Sequence, residues 1–398
     1  MPKLITSVKW EASGLPSNLS FNKNTGTFTG TAEQVGEYTV PVKVTTNYGE
    51  AQEDVNIFVD GKSYKVYAVG DKAELWSEGA EADENGFRKL NMPSASVLYS
   101  VINGFAARTV SGFYVCGIPF DEYFISISDF DSTKPVNCPI PNVREMAGWR
   151  GNAISTPDTP RIAYRLSDYT AYLNGGLNLA PAKPEGTDGI FDISASSYGR
   201  NAGDEIAGIG LDKKSIKTIH SIAGSTVFNL DKEIKKAVMV YTPAQSGNDN
   251  SYMVVYLTSD NELCKINLYD MSVIRIAEEA GNIRDFWQLY STKILFTTAN
   301  NDVYCGYTSS NSLTLDKFEY LGNYDIKRVC GSQYNILLLT EDGKLYQRYV
   351  NNYSTATINY YPFYTRRDEL TRIYPEYDFK DIVFLISPKT LIAILGDK

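Results

Sequence analysis

Histidine is nearly absent: the chain of 398 residues holds one, His220. A single imidazole excludes a histidine-rich metal site and makes a Ser-His-Asp triad a poor fit. His220 sits in IKTIHSIAG, among apolar residues at strand-like spacing, and reads as structural. Cysteine is scarce too. Cys116, Cys138, Cys264, Cys305 and Cys330 make an odd number, and no two form a C-x-x-C pair. Neither a disulfide framework nor a zinc site is expected, and the thiols are expected to be reduced and buried in strands. No run approaches the roughly 18 apolar residues of a membrane helix. The opening MPKLITSVKW lacks the apolar stretch of a secretory signal. Positive charge is in deficit, with 38 Lys and Arg against 47 Asp and Glu, a net charge of −9. That argues against a nucleic-acid backbone or an anionic membrane as partner. The simplest inference is a protein made and assembled in a cytoplasm.

Tyrosine is abundant, 29 residues against 17 Phe and 4 Trp. Tyr suits strands and exposed contact surfaces, because the ring is apolar and its tip hydrogen-bonds. The stretch IKRVCGSQYNILLLTEDGKLYQR, from Ile326 to Arg348, reads as a meander of three strands. Ile326 to Cys330 is the first and Tyr334 to Thr340 the second. Glu341-Asp342-Gly343 turns the chain, with Gly343 free to take positive φ, and Lys344 to Tyr349 returns. One meander cannot bury both of its faces, so it needs neighbours of the same kind.

The chain supplies them after about residue 60. First strands are expected to start at Val97, Val143, Ile190, Ile234, Ile283, Ile326 and Phe379, with neighbours 43 to 53 residues apart. A near-constant interval of this size marks β-propeller blades. At the ends, Phe379 to Leu395 offers two strands after which the chain stops. Tyr64 to Gly79 offers two strands with no first strand before them. Together they complete one blade and close a ring of seven.

Residues 1–60 differ. Tyr38, Val40, Val42 and Val44 alternate with Thr39, Pro41, Lys43 and Thr45, and Val55, Ile57 and Val59 alternate in a last strand. Pro41 suggests an edge strand. These features predict a small antiparallel sandwich. Leu15-Pro16, Leu19-Ser20-Phe21, Thr25 to Gly30 and Gly36 to Val40 resemble the immunoglobulin-like modules of bacterial surface and bacteriophage virion proteins. The resemblance covers about one seventh of the chain and implies a displayed or anchoring module. Such modules usually carry one or two further strands before the Gly-Leu-Pro segment, and only about a dozen residues precede it here. An incomplete sandwich leaves an open edge that invites a strand from another chain; the other reading is a small domain that packs on its neighbour. In the second part, Ile326, Val329, Leu339-Thr340, Asp342-Gly343 and Leu345-Tyr346 resemble the regulator-of-chromosome-condensation repeat. That repeat's Trp-Gly and Gly-Gln-Leu-Gly are missing here. The resemblance implies its architecture, not its nucleotide-exchange or chromatin roles.

Chemistry is hard to place on this chain. There is no P-loop, dinucleotide fingerprint or G-x-S-x-G elbow, and no cofactor is expected. EADENGFRKLNM, from Glu81, has acidic residues at the first and third positions, Asn at the fifth and Gly at the sixth of a calcium-loop template, but Met92 at the twelfth, where a bidentate Glu belongs; an acidic turn is the expectation, and no metal. Carboxylates are plentiful, but no pair is set by spacing. The most unusual stretch is 349–377. It holds Tyr353, Tyr360, Tyr361, Tyr364, Tyr374 and Tyr377 with Arg366 and Arg367. Aromatic rings beside arginines favour interface hot spots and sugar stacking. Tyr353, Tyr360, Tyr361, Tyr364, Arg366, Arg367 and Tyr374 are therefore the candidate ligand- or partner-binding residues. The competing reading is an outer strand and a long loop whose tyrosines pack on the blade. Ser132 to Pro141 is a second candidate segment, placed to cover a blade edge.

The expectation is an all-β protein: a small Ig-like β-sandwich in residues 1–60 for anchoring or assembly, then a seven-bladed β-propeller in 61–398. A displayed module without an export signal fits a virion protein, which assembles in the bacterial host cytoplasm. The expected function is a bacteriophage structural protein, for capsid decoration, a head fibre or a tail adhesin. Its partners would be other virion proteins and a host surface glycan, with neither nucleic acid nor membrane insertion, and with homo-oligomers open. The alternatives are a cytoplasmic propeller scaffold for protein partners and, third, a glycan-cleaving enzyme.

Overall fold

The computed structural model describes residues 5–397 except 33, 102–103, 118–130, 132, 153–159, 175–187, 196–198, 201–204, 221–223, 243–250, 268–270, 291, 310–311, 333, 351–365 and 386–388. The chain divides into two compact units, Met1–Lys62 and Ser63–Lys398.

The first unit is a small sandwich. One sheet is ordered Val8–Ala12, Gly36–Thr46, Gly49–Val59, and a two-stranded sheet pairs Leu19–Asn22 with Thr27–Gly30. Pro41 therefore lies in a central strand, not the expected edge strand. The sheet tolerates it because the first strand's pairing ends at Ala12 opposite Val42, so one flank of Pro41 needs no N–H.

The second unit is a propeller of seven four-stranded sheets. Counted from the inner strand, blade 1 runs Ala95–Val101, Gly104–Thr109, Gly112–Gly117, Val136–Asn137. Its outer strand comes from the Ser132 to Pro141 segment. Blade 3 starts at Ile190, blade 4 at Ile234 and blade 5 at Ile283. Blade 6 runs Ile326–Gly331, Asn335–Thr340, Leu345–Tyr349, Arg367–Ile373. Blade 2, from Val143, departs from the pattern: its fourth member is Gly199–Arg200, parallel to the inner strand. Blade 7 takes Phe379–Leu385 and Thr390–Leu395 from the end of the chain and Lys65–Gly70 and Arg88–Lys89 from near its start. Thr390 to Leu395 pairs with Gly70 to Lys65 without a slip, which closes the ring.

One expected strand is a helix instead. Ala73–Trp76 forms a single turn, burying Ala73 and Trp76. Its AELW sequence is rich in helix formers and puts both apolar contacts on one side. The outer strand of blade 7 follows later, at Arg88–Lys89.

The blades share one device. Each inner strand carries a register shift at its second residue, between Ala95/Val97, Val143/Glu145, Ile190/Asp192, Ile234/Lys236, Ile283/Asp285, Ile326/Arg328 and Phe379/Asp381. A bulge absorbs one residue, so positions i and i+3 fall on the same face and position i+2 on the other. Ile326 and Val329 pack with Leu295 and Val303 of blade 5, while Leu337 and Leu339 pack with Phe379 and Ile382 of blade 7. Blade 7 in turn meets blade 1 through Val66, Val383 and Ile392 against Leu98 and Phe105.

The i+2 positions form a ring of mostly charged side chains: Val97, Glu145, Asp192, Lys236, Asp285, Arg328 and Asp381. They tie neighbouring blades. Arg328 Nε lies 2.8 Å from Asp381 Oδ1. Asp381 Oδ2 accepts from the Leu98 N–H at 2.7 Å, and Arg328 Nη1 donates to the Leu98 carbonyl at 2.9 Å. Lys236 pairs with Asp285 at 2.9 Å and lies over the Trp287 ring. Glu145 accepts from Arg165 Nε at 3.0 Å and from the Ile193 N–H at 3.3 Å. Asp192 is hydrogen-bonded to Glu145; burial, then the Glu145 charge, hold its carboxyl well above the usual range.

Candidate binding surface on blades five and six

The site is built where inner strands end and second strands begin, on blades 5 and 6. In blade 5, Lys293–Thr298 runs beside Asp302–Tyr307, which sets Lys293 opposite Tyr307. The Lys293 ammonium lies 5.7 Å from the Tyr307 ring centroid, a cation–π contact that leaves the ring half exposed, at 49%. Burial, with Cys305 and Tyr334 close by, raises the Tyr307 phenol. Tyr334, on blade 6, is itself 39% exposed.

A polar network continues from there. Glu319 pairs across from Cys305 and receives both terminal nitrogens of Arg348, each at 2.7 Å. This forked geometry fixes the guanidinium plane. Arg348 Nε reaches the Asp368 carbonyl at 2.8 Å, and the Asp368 carboxylate pairs with Arg366 at 3.0 Å. Arg366 remains 61% exposed. The surface thus offers two tyrosine rings, their hydroxyls and a fork-shaped cation on a rigid sheet end.

The sequence-predicted residues divide. Tyr353, Tyr360, Tyr361 and Tyr364 lie outside the described residues. The Val350 N–H donates to the Tyr334 carbonyl at 3.0 Å. Arg367 begins the outer strand of blade 6, opposite Tyr349. Tyr374 goes elsewhere. Its ring packs edge-on against Phe87 at 5.0 Å, beside Tyr377. There Tyr377 donates to Asp83 Oδ2 at 2.5 Å and accepts from Asn85 Nδ2 at 3.2 Å. Asp83 also accepts from the Asn85 and Phe87 amides. The acidic turn from Glu81 is therefore a clasp at the closing seam. Arg367–Ile373 is an outer strand and Tyr377 is buried, so for this part of the stretch packing on the blade is what the structure has.

Tyr307, Tyr334 and Lys293 were not singled out in the sequence. Their signal was faint: an aromatic at the last position of a third strand, repeated as Tyr307 and Tyr349. The charged i+2 ring was also missed, although aligning the seven starts shows a charge in six of them. His220 ends a strand of blade 3, its backbone paired with Glu205 and Gly224. All five cysteines are free thiols, four buried and Cys330 partly so. Burial pushes Cys330 up to about 12 and Cys305 up to about 11, which leaves these two poor nucleophiles.

The fold defines a β-propeller preceded by an Ig-like sandwich. Residues 3–59 match the protein-family model described as "Putative Ig domain". No curated protein matches the chain. Among solved structures it is similar to human WBSCR16, with 10% identity and a TM-score of 0.56 over 84% of this chain and 100% of that one. It is similar to Prp20p from Saccharomyces cerevisiae, with 12% identity and a TM-score of 0.56 over 85% and 92%. Yeast RCC1 (Prp20) bound to Kap60 gives 12% identity and a TM-score of 0.57 over 85% and 90%. At such identities the likeness is one of fold.

Proposed function

We propose that this chain is a non-enzymatic binding protein of a bacteriophage virion, a capsid decoration, head fibre or tail adhesin. The Ig-like module anchors it to a neighbouring virion protein. The propeller presents the blade 5 and 6 surface to a host surface glycan. The observation that carries the reading is that surface: exposed Tyr307 and Tyr334, with an exposed Arg366 joined through Asp368 to the forked Arg348–Glu319 pair at the same end of the sheets. Ring faces stack on sugar C–H groups, and a guanidinium forks onto hydroxyl or carboxylate oxygens. Free thiols fit assembly in a reducing host cytoplasm. Mass spectrometry of purified virions, with antibody labelling under the electron microscope, tests this. The protein is expected on the particle in fixed copy number. Its absence from particles overturns the reading.

A second reading is a scaffold for protein partners. The structures of similar fold favour it, since Prp20p is described with binding to Gsp1p and histones, and yeast RCC1 is bound to Kap60. Recovery of one stoichiometric cellular protein, with the chain absent from virions, would select it.

A further inference from the structure

Among the described residues of the propeller the outer strands run from two to seven residues, and Thr390–Leu395 closes the ring on Lys65–Gly70. The sandwich is different. Gly49–Val59 is an eleven-residue strand at the edge of its sheet. It pairs with the central strand at every position from Gly36↔Val59 to Thr46↔Gly49, with no register shift. Among the described residues nothing pairs with its other side. Alternate residues of such a strand turn both N–H and C=O away from the sheet. Proteins usually blunt a long edge with charged side chains, lysine above all, or with a bulge or a proline. In this strand, GEAQEDVNIFV, only acidic charges serve, and there is no lysine, bulge or proline.

What it has is acid. Gly49 to Asp54 is exposed and Val55 to Val59 is half-buried. Glu50 is paired with Lys43 at 2.6 Å. Glu53 and Asp54, on opposite faces of the strand, have no ion-pair partner among the described residues. These charges decide between occupants. Full-length antiparallel pairing with a second copy sets Asp54 against its own counterpart, and like charges directly opposite are destabilising. A strand carrying Lys or Arg at those positions gains an opposite-charge pair on each face, and β-branched residues fit the apolar half.

We infer that Gly49–Val59 accepts an extended strand from a different protein, basic opposite Glu53 and Asp54 and β-branched opposite Val55 to Val59. Its biological setting rests on the anchoring role proposed above; the pairing does not. The test uses the full chain and a capped peptide, acetyl-TVTVKKTVT-amide, labelled for fluorescence anisotropy, with hydrogen exchange read by mass spectrometry. Two controls are the Glu-for-Lys peptide and a proline-interrupted peptide of the same charge, acetyl-TVPVKKPVT-amide. The Lys peptide binds and protects residues 49–59, and both controls bind at least tenfold more weakly. Glu53→Lys/Asp54→Lys, two exposed sites, reverses the preference between Lys and Glu peptides. No binding, equal binding of the proline-interrupted peptide, or protection outside residues 49–59 overturns the inference. Failure here with the protein present in virions would reject strand addition alone.

Discussion

Asp381 offers the sharpest test of how the ring is held. It is 5% exposed and takes three donors: Arg328 Nε at 2.8 Å, the Leu98 N–H at 2.7 Å and the Ile382 N–H at 2.9 Å. Arg328 in turn holds the Leu98 carbonyl, so one carboxylate joins blades 6, 7 and 1. Burial raises the Asp381 carboxyl, more than Arg328 lowers it. The pair is therefore costly to bury and costlier still to break. Asp381→Ala strands a part-buried guanidinium and two amides. Breaking one side of a buried pair costs about 3–5 kcal/mol. With about 2.1 cal/mol/K of unfolding entropy per residue, 4 kcal/mol lowers the Tm of a unit this long by about 6 °C. The double variant Arg328→Met/Asp381→Leu removes both charges, so no guanidinium is stranded, but still leaves the Leu98 and Ile382 N–H groups without their acceptor, at about 1–3 kcal/mol each at most. It should melt between wild type and Asp381→Ala. Denaturant unfolding and calorimetry of the three proteins provide the comparison, with the exchange rate of the Leu98 amide as a local readout. If Asp381→Ala stays within 1 kcal/mol of wild type, or Leu98 exchanges no faster, the bulge-position ring is not what joins the blades.

Three further outcomes follow from the geometry. Asp192 holds its proton more tightly folded than unfolded, because of burial and then Glu145; stability is thus fullest below the unfolded carboxyl pKa and declines as pH rises toward the raised folded value. Asp192→Asn should flatten that decline and raise the Tm at pH 7.5 relative to wild type, and a wild-type Tm that instead climbs steadily from pH 5 to 7.5, unaltered by the substitution, contradicts it. Gly343 sits at φ +79°, where an added Cβ would lie 2.1 Å from Asp378 Oδ1; Gly343→Ala should cost about 1–3 kcal/mol, measured by denaturant midpoint. Tyr377→Phe removes the hydroxyl that Asp83 and Asn85 share and should cost about 1–2 kcal/mol, an effect much reduced in an Asp83→Ala background if the clasp acts as a unit.

Much of the propeller could be read from the repeat. Six of seven expected inner-strand starts coincide with observed ones, and Val97 falls two residues inside Ala95–Val101. The Ile-x-x-Val spacing was visible, but its cause was not: three residues between like-facing positions break the period of two, and only pairing with the next strand reveals the bulge. AELW forms a helical turn where the sequence predicts a second strand, because four residues are too few for periodicity to separate helix from strand. Most of the Tyr-rich stretch lies outside the described residues; of its described part, Arg367–Ile373 is the outer strand of blade 6. The stretch could not separate Tyr374 and Tyr377, which serve the closing seam, from residues at the exposed end of the blade, because composition does not record which way a strand end faces. Tyr307 and Tyr334 join the surface only through the stacking of blades 5 and 6.

Recognition through Tyr307 and Tyr334 is open to a direct test. Purified full chain and its Tyr307→Ala/Tyr334→Ala variant should be compared for binding to intact host cells by flow cytometry, with melting curves recorded for both. Binding by wild type, at least a tenfold loss in the variant and coincident melting curves are the predicted result. Equal binding by the two proteins would place recognition elsewhere on the molecule and contradict the account.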